Sequence, residues 1–437
     1  RPAKRRRRWL APLTLIVLSV IVIAGVLVAA FLVDEARTSY WQAHLLADLG
    51  RELSYKPEPG PSPAIAFPRT GPYDHRLGYA DLPEYLRRLK ARGYVIAEQA
   101  RMSPKLARLA DAGLFAPYLE KAQAGLTIFG CGNEPLFRAR YPERIYGKFE
   151  DVPPVLVQTL LFIENRELLD AEHPQKNPAV EWDRFGKALL DQVIHAVDDE
   201  HETPGGSTLA TQIEKYRHSP DGRTGSGKEK LRQMASASVR AYLKGPDTMP
   251  VRQQLVVDYL NSVPLSAKSG HGEVSGLGDG LWAWYDRDFA EVNRILAHSP
   301  EQPSADAALA YKQALSLMIS QRRPSYYLGG NDEELEQHTN SYLRLLAAAG
   351  VITPAMRDTA LAQRLRTREI GIPAQSGPFA QRKTATTVRT HLAGMLRTPR
   401  LYDLDRLDLT AASTLDTELQ RAVTNLLREL RDPEVAK

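Results

Sequence analysis

A glutamate set on an otherwise apolar helical stripe is the first residue of this chain whose placement could do chemistry. Val157, Leu160 and Leu161 recur at helical spacing behind VPPV (152–155), whose prolines suit a helix start, and Glu164 falls on the same stripe. A carboxylate there is either paired in a core or kept for proton transfer, because partial desolvation raises its pKa toward that of a general base. Further along, TPGGSTLATQIEK (203–215) puts two glycines and two hydroxyls ahead of an amphipathic run that includes Lys215. Such a loop opens a helix whose free N–H groups and positive dipole end suit an anionic ligand.

Rival patterns carry less. GRTGSGK (222–228) comes near a nucleotide phosphate loop, but Glu229 stands where a Mg-binding serine or threonine is required, and RHSPD (217–221) is no buried strand. It reads as a polar loop. His271 has no companion at ligand spacing, His201-Glu202 lacks the second histidine of a zinc-protease helix, and no Ser-x-x-Lys occurs. Trp282, Trp284 and Tyr285 could stack on sugar rings or fill a core, and the core is the commoner use. Cys131 is the single cysteine, so no intrachain disulfide forms.

The chain that positions these residues has 437 residues, 43% of them hydrophobic, enough for two or three domains with cores of their own. Its net charge is +5, yet Arg1, Lys4, Arg5, Arg6, Arg7 and Arg8 precede every acid. The remainder is close to neutral, which argues against a nucleic-acid partner. Residues 9–33 follow without a charge, long enough as a helix to cross a hydrocarbon core of roughly 30 Å. A cleaved signal peptide fits less well, since the apolar run continues past Ala29 and Ala30. The basic tip (1–8) predicts a cytoplasmic N-terminus, with the bulk of the chain outside the inner (plasma) membrane. Residues 34–143 read as a stalk and a small α+β module: helical to about residue 55, a stiff KPEPGPSP spacer (56–63), helices over 82–92 and 104–122, and a hairpin over 125–146 turning at GCGN (130–133).

Several blocks then stand in order: RIYGKFEDVPPVLVQTLLFIENR (144–166), GGSTLATQIEK (205–215), LVVDYLN (255–261), GLGDGLWAWY (276–285) and LSLMISQRRPSYY (315–327). LTAASTLDTELQ (409–420) looks like the linker that precedes a transpeptidase domain. Together they resemble the peptidoglycan glycosyltransferases of glycosyltransferase family 51, found in class A penicillin-binding proteins and monofunctional transglycosylases. The resemblance covers 144–365 and returns near Thr410.

It implies a mainly α, lysozyme-like domain over 144–365, with 366–437 as linker and start of a C-terminal region. The implied activity polymerises a lipid-linked disaccharide precursor with inversion and releases polyprenyl diphosphate. Glu164 then matches the catalytic glutamate, while Gly205, Gly206, Ser207, Thr208, Gln212, Lys215, Lys230, Arg232 and Asn261 are the candidates for substrate and diphosphate. Family members often use a divalent cation, Mg or Mn, at the diphosphate; no ligand set for one is readable here. The implied partners are the precursor, the membrane and other cell-wall synthesis proteins.

The departures fall on acids. Asn165, Leu168 and Ala171 replace the aspartate, phenylalanine and histidine of the first motif, and Val257 replaces a glutamate before Tyr-Leu-Asn. Aligning EKLRQ (229–233) with the third motif keeps Lys230 but puts Gln233 where a second functional glutamate belongs. Another register uses Lys228 and puts Leu231 there. The first is preferred because Leu231, Met234, Ala235, Ser238 and Tyr242 then form one helix face. Glutamine cannot exchange protons or hold a metal as a carboxylate does. An active enzyme, a silent relative that binds precursor or a cell-wall partner, and a lytic transglycosylase therefore stay open. At the C-terminus, Leu419, Val423, Leu426, Leu427 and Leu430 form a stripe that needs a partner, either further domains or residues 343–362.

Overall fold

A computed structural model describes residues 7–118, 120–181, 207–297, 302–368 and 379–430. Gly205 and Gly206 lie outside the described residues. The chain begins with α1 (Arg7–Thr38), in which the stretch Ile16–Thr38 has a mean hydropathy of 3.2 and none of its most apolar window is buried. This helix is long and apolar enough to cross a membrane. The helical stretch expected to run on to residue 55 breaks at Ser39, which is buried in the left-handed region with φ 54°. The Glu35 carboxylate accepts the N–H groups of Trp41 (2.9 Å) and Gln42 (2.8 Å), so it caps α2 (Tyr40–Arg51) from the preceding helix.

Next come β1 (Tyr55–Pro59), α3 (Pro72–Arg76), α4 (Leu82–Lys90), β2 (Glu98–Met102), α5 (Pro104–Asp111) and the hairpin β3 (Leu126–Phe129) with β4 (Pro135–Arg138). Helix α5 is shorter than the 104–122 expected, because Gly113 at φ 103° turns the chain away.

The central domain holds α6 (Pro154–Glu164), α7 (Leu209–His218), α8 (Gly227–Ala241), α9 (Met249–Ser262), the hairpin β5 (Pro264–Lys268) and β6 (Gly272–Ser275), α10 (Leu277–Tyr285) and α11 (Phe289–Leu296). It continues with α12 (Ala305–Ser320), α13 (Pro324–Tyr327), α14 (Asp332–Ala348) and α15 (Pro354–Leu361). Helix α12 is buried without a break from Ala310 to Ser320, which makes it the axis around which α6, α10, α11, α14 and α15 pack. Ala308, Ala310 and Ala314 let those helices approach closely, while Leu156, Leu160, Leu315, Leu343 and Leu346 fill the space between. Each buried leucine contributes about 1.5–3 kcal/mol. Trp284 and Tyr285 belong to this core, the Trp284 indole donating to the Leu265 carbonyl at 3.0 Å.

After α16 (Phe379–Leu396) and α17 (Leu401–Leu404), β7 (Leu409–Ala412) pairs in parallel with β3, giving the sheet order β4-β3-β7. Leu126 and Ile128 pack on Leu396, Leu404 and Leu407. Segments from both sides of the central domain therefore share one sheet and one small core. In α18 (Thr417–Glu429) and just after it, Leu419, Val423, Leu426, Leu427 and Leu430 are exposed.

Candidate active site

Helix α6 begins at Pro154, whose missing N–H costs nothing at a helix start, and its Val155, Leu156, Val157 and Leu160 go into the core. That anchoring delivers Glu164, the last residue of the helix, to the meeting point of three other elements. From α7, Gln212 Nε2 donates to Glu164 Oε2 at 2.7 Å. From α9, Tyr259 Oη donates to Oε1 at 3.5 Å, and Gln321 Nε2, directly after α12, donates to the same oxygen at 3.0 Å. Glu164 is 7% exposed. A buried carboxylate supplied with N–H and O–H donors is held in place as an acceptor.

Lys215 follows Gln212 by three positions on α7, so the two share a helix face. Burial lowers the Lys215 pKa, and the field of Glu164 opposes that shift. The Lys230 pKa is lowered first by burial and then by the charge of Lys215. Lys230 Nζ donates to Ser207 Oγ at 2.7 Å. Thr208 caps α7 by accepting the Thr211 N–H at 3.2 Å. Carboxylate, two lysines and a helix N-terminus thus gather in one neighbourhood, able to take a proton and to receive negative charge.

Three expected site residues are engaged elsewhere. Arg232 donates to the Gly113 carbonyl and lies over the Phe115 ring at 4.0 Å, so its guanidinium ties α8 to the preceding module rather than joining the lysines. Asn261 is a backbone clamp: its Oδ1 accepts the Tyr146 N–H at 2.8 Å and its Nδ2 donates to the Tyr146 carbonyl at 2.9 Å. Gly276, at φ 81°, passes so close behind that an added Cβ would sit 2.5 Å from the Asn261 carbonyl oxygen. Gln233 is buried, its Nε2 donating to Ser219 Oγ at 2.9 Å and to Thr224 Oγ1 at 3.0 Å. It pins the connection between α7 and α8. The inward face of α8 carries Gln233, Ser236 and Ala237, not Leu231 and Ala235, which are exposed. The helix face that was the reason for preferring this register is therefore not the buried one.

Tyr259 and Gln321 were not among the expected site residues. Tyr259 is as buried as Leu260 and belongs to the same core, so it gives no local signal of its own, and Gln321 gives none beyond polarity after an apolar helix.

The opposite face of α7 is locked by charge. His218 Nδ1 and Nε2 lie 2.8 Å from Asp74 and from Glu120, Arg217 pairs with Glu120, and Arg240 bridges Glu214 (2.7 Å) and Glu120 (2.8 Å). Burial alone would lower the His218 pKa, but Glu120 and Asp74 outweigh it and push it up to about 9. Glu120 is held well below the usual carboxylate range: burial works against this, and Arg240, His218 and Arg217 outweigh it. This knot fixes the helix that presents Gln212 and Lys215.

Among the described residues, the side chains of Gln212, Tyr259 and Gln321 act as N–H and O–H donors to Glu164. Among the described residues, Asp170, Glu172 and His173 are the group close enough to share a cation, and they sit on the surface-facing segment after α6.

Comparison with known families matches residues 133–347 to Transglycosylase. The matched span includes Glu164, Gln212, Lys215, Lys230, Tyr259 and Gln321, and leaves out α1, α2 and the module strand β3. No curated protein matches the chain.

Proposed function

Residues 133–347 of this chain are a transglycosylase domain of glycosyltransferase family 51, and from that premise we propose that the protein is a membrane-anchored peptidoglycan glycosyltransferase. Glu164 takes the proton from the acceptor sugar hydroxyl as that oxygen attacks the anomeric carbon of the lipid-linked donor. The bond from that carbon to the diphosphate oxygen breaks, the configuration inverts, and Lys215 and Lys230 take up the charge on the departing polyprenyl diphosphate. The helix α1 holds the domain at the membrane where the lipid-linked donor is tethered.

The observation that supports this reading is a fixed, buried carboxylate whose field reaches a lysine on the same helix as its Gln212 partner. A second reading has its own support. Gln233 occupies the place of an acid and is hydrogen-bonded into the α7–α8 connection, an arrangement suited to binding precursor without polymerising it.

Full-length protein incubated with lipid-linked precursor separates these readings. Glycan polymer supports the glycosyltransferase, and saturable binding without polymer at high protein supports the silent relative. Release of soluble fragments from purified wall material supports lytic cleavage instead.

A further inference from the structure

Helix α2 directs two chemically different faces in opposite directions. Ala43, Ala47 and Gly50 are buried against Ala241 and Tyr242 at the end of α8. Gly50 is needed there: a Cβ would sit 2.9 Å from the Tyr242 carbonyl oxygen and 3.0 Å from Leu243 Cα. The helix is thus fixed to the central domain. Its other side exposes Tyr40, Trp41 (60%) and Leu45 (71%) to solvent, and charged or polar Asp48 and Arg51 follow toward the helix end.

Trp41 is more than an exposed aromatic. Its ring centroid lies 6.4 Å from that of Phe31, which is inside the uncharged run of α1, and 5.7 Å from that of Tyr40. The turn at Ser39 has therefore folded α2 back until its first turn is level with the end of the apolar span. A tryptophan and a tyrosine at that depth match the amphipathic side chains that collect at membrane–water interfaces, and a helix with one apolar face lies in that plane.

We infer that Tyr40, Trp41 and Leu45 seat α2 in the headgroup region of the membrane that α1 crosses. The inference rests on α1 being a membrane anchor, as proposed above. Because α2 is joined rigidly to α8, which carries Lys230, seating it sets the height and tilt of the lysine pair over the lipid surface from which a diphosphate would be drawn. A single flexible tether would leave that height free.

Site-directed spin labelling of the full chain tests this. In a Cys131→Ser background, nitroxides are attached at Leu45→Cys, at Leu27→Cys inside the span and at Val95→Cys on the exposed module surface, and the protein is reconstituted in phosphatidylethanolamine/phosphatidylglycerol vesicles. Collision rates with oxygen and with a water-soluble nickel chelate give depth. The inference expects an oxygen-to-nickel ratio at Leu45 several-fold above that at Val95 and below that at Leu27. A Leu45 ratio equal to that of Val95, with Leu27 lipid-like, overturns the seating of α2 and leaves the anchor standing. Water-like values at Leu27 overturn the anchor itself, and with it the inference. Dipolar broadening between Leu45 labels assigns the face to a second copy of the chain and also overturns it.

Discussion

Gln212 donates its side-chain amide to Glu164 at 2.7 Å, joining α7 to α6 at the carboxylate itself. Because Lys215 sits one turn further on the same helix, whatever fixes α7 fixes both the partner of the Glu164 carboxylate and the Lys215 ammonium. The positions of Gln212 and Lys215 are then coupled through one rigid helix whose far side is clamped by Asp74 and Glu120.

The three donors to Glu164 differ in distance, and their removal should differ in effect. Gln212→Leu leaves the Oε2 acceptor without its 2.7 Å partner, whereas Tyr259→Phe removes a contact at 3.5 Å, the limit of a hydrogen bond. Initial polymerisation rates should fall at least about 10-fold in the first variant, consistent with roughly 1.5–3 kcal/mol for a hydrogen bond to a charged group, and less in the second. Equal losses would mean that distance does not rank these contacts.

The charge knot makes stability depend on pH. The folded pKa of His218 is raised to about 9 from an ordinary 6.5, so the stabilisation it provides is fully present below about 6.5 and is lost as pH rises through about 9. Thermal unfolding should therefore show a falling midpoint between those values, worth on the order of a few kcal/mol. In His218→Gln that slope should flatten and the midpoint at neutral pH should drop. A slope unchanged in the variant would assign the pH dependence to other groups.

Asn261→Ala should destabilise the central domain by about 1–3 kcal/mol, because both backbone groups of Tyr146 lose their partner inside the protein. Denaturant unfolding measures this directly. If Asn261 instead served only substrate, stability would stay at the native value and only turnover would change.

The site was partly written in local sequence. Glu164 stood out because a carboxylate interrupted an apolar stripe, and Lys215 because a helix was bound to follow the glycine-rich loop. Arg232 and Asn261 did not disclose their partners, since Gly113 and Tyr146 come from distant parts of the chain and only the packed structure brings them near. The break at Ser39 was hidden for the same reason: the residue adopts a left-handed conformation while its Oγ accepts the Asn177 N–H. Likewise, pairing of β7 with β3 joins segments from either side of the central domain, so no window of sequence could reveal the shared sheet.

Placing an acid at Gln233 probes the connection that this residue pins. In Gln233→Glu the two donated bonds to Ser219 and Thr224 are lost, and a carboxylate is placed near Glu229, which accepts from Ser219 at 2.7 Å. The variant should be less stable by about 1–3 kcal/mol and should gain polymerising activity only if the second acid is what limits the native rate. Thermal unfolding and product length, measured on the same preparation, report the two effects separately.

The most direct test of the account is the rate of glycan formation by Glu164→Gln beside the native protein, on lipid-linked precursor in vesicles and with matched circular dichroism. Loss of a positioned base should reduce the rate by about 10²–10⁴-fold while precursor binding persists. A Glu164→Gln protein that polymerises at the native rate would contradict the assignment of Glu164 as the proton acceptor.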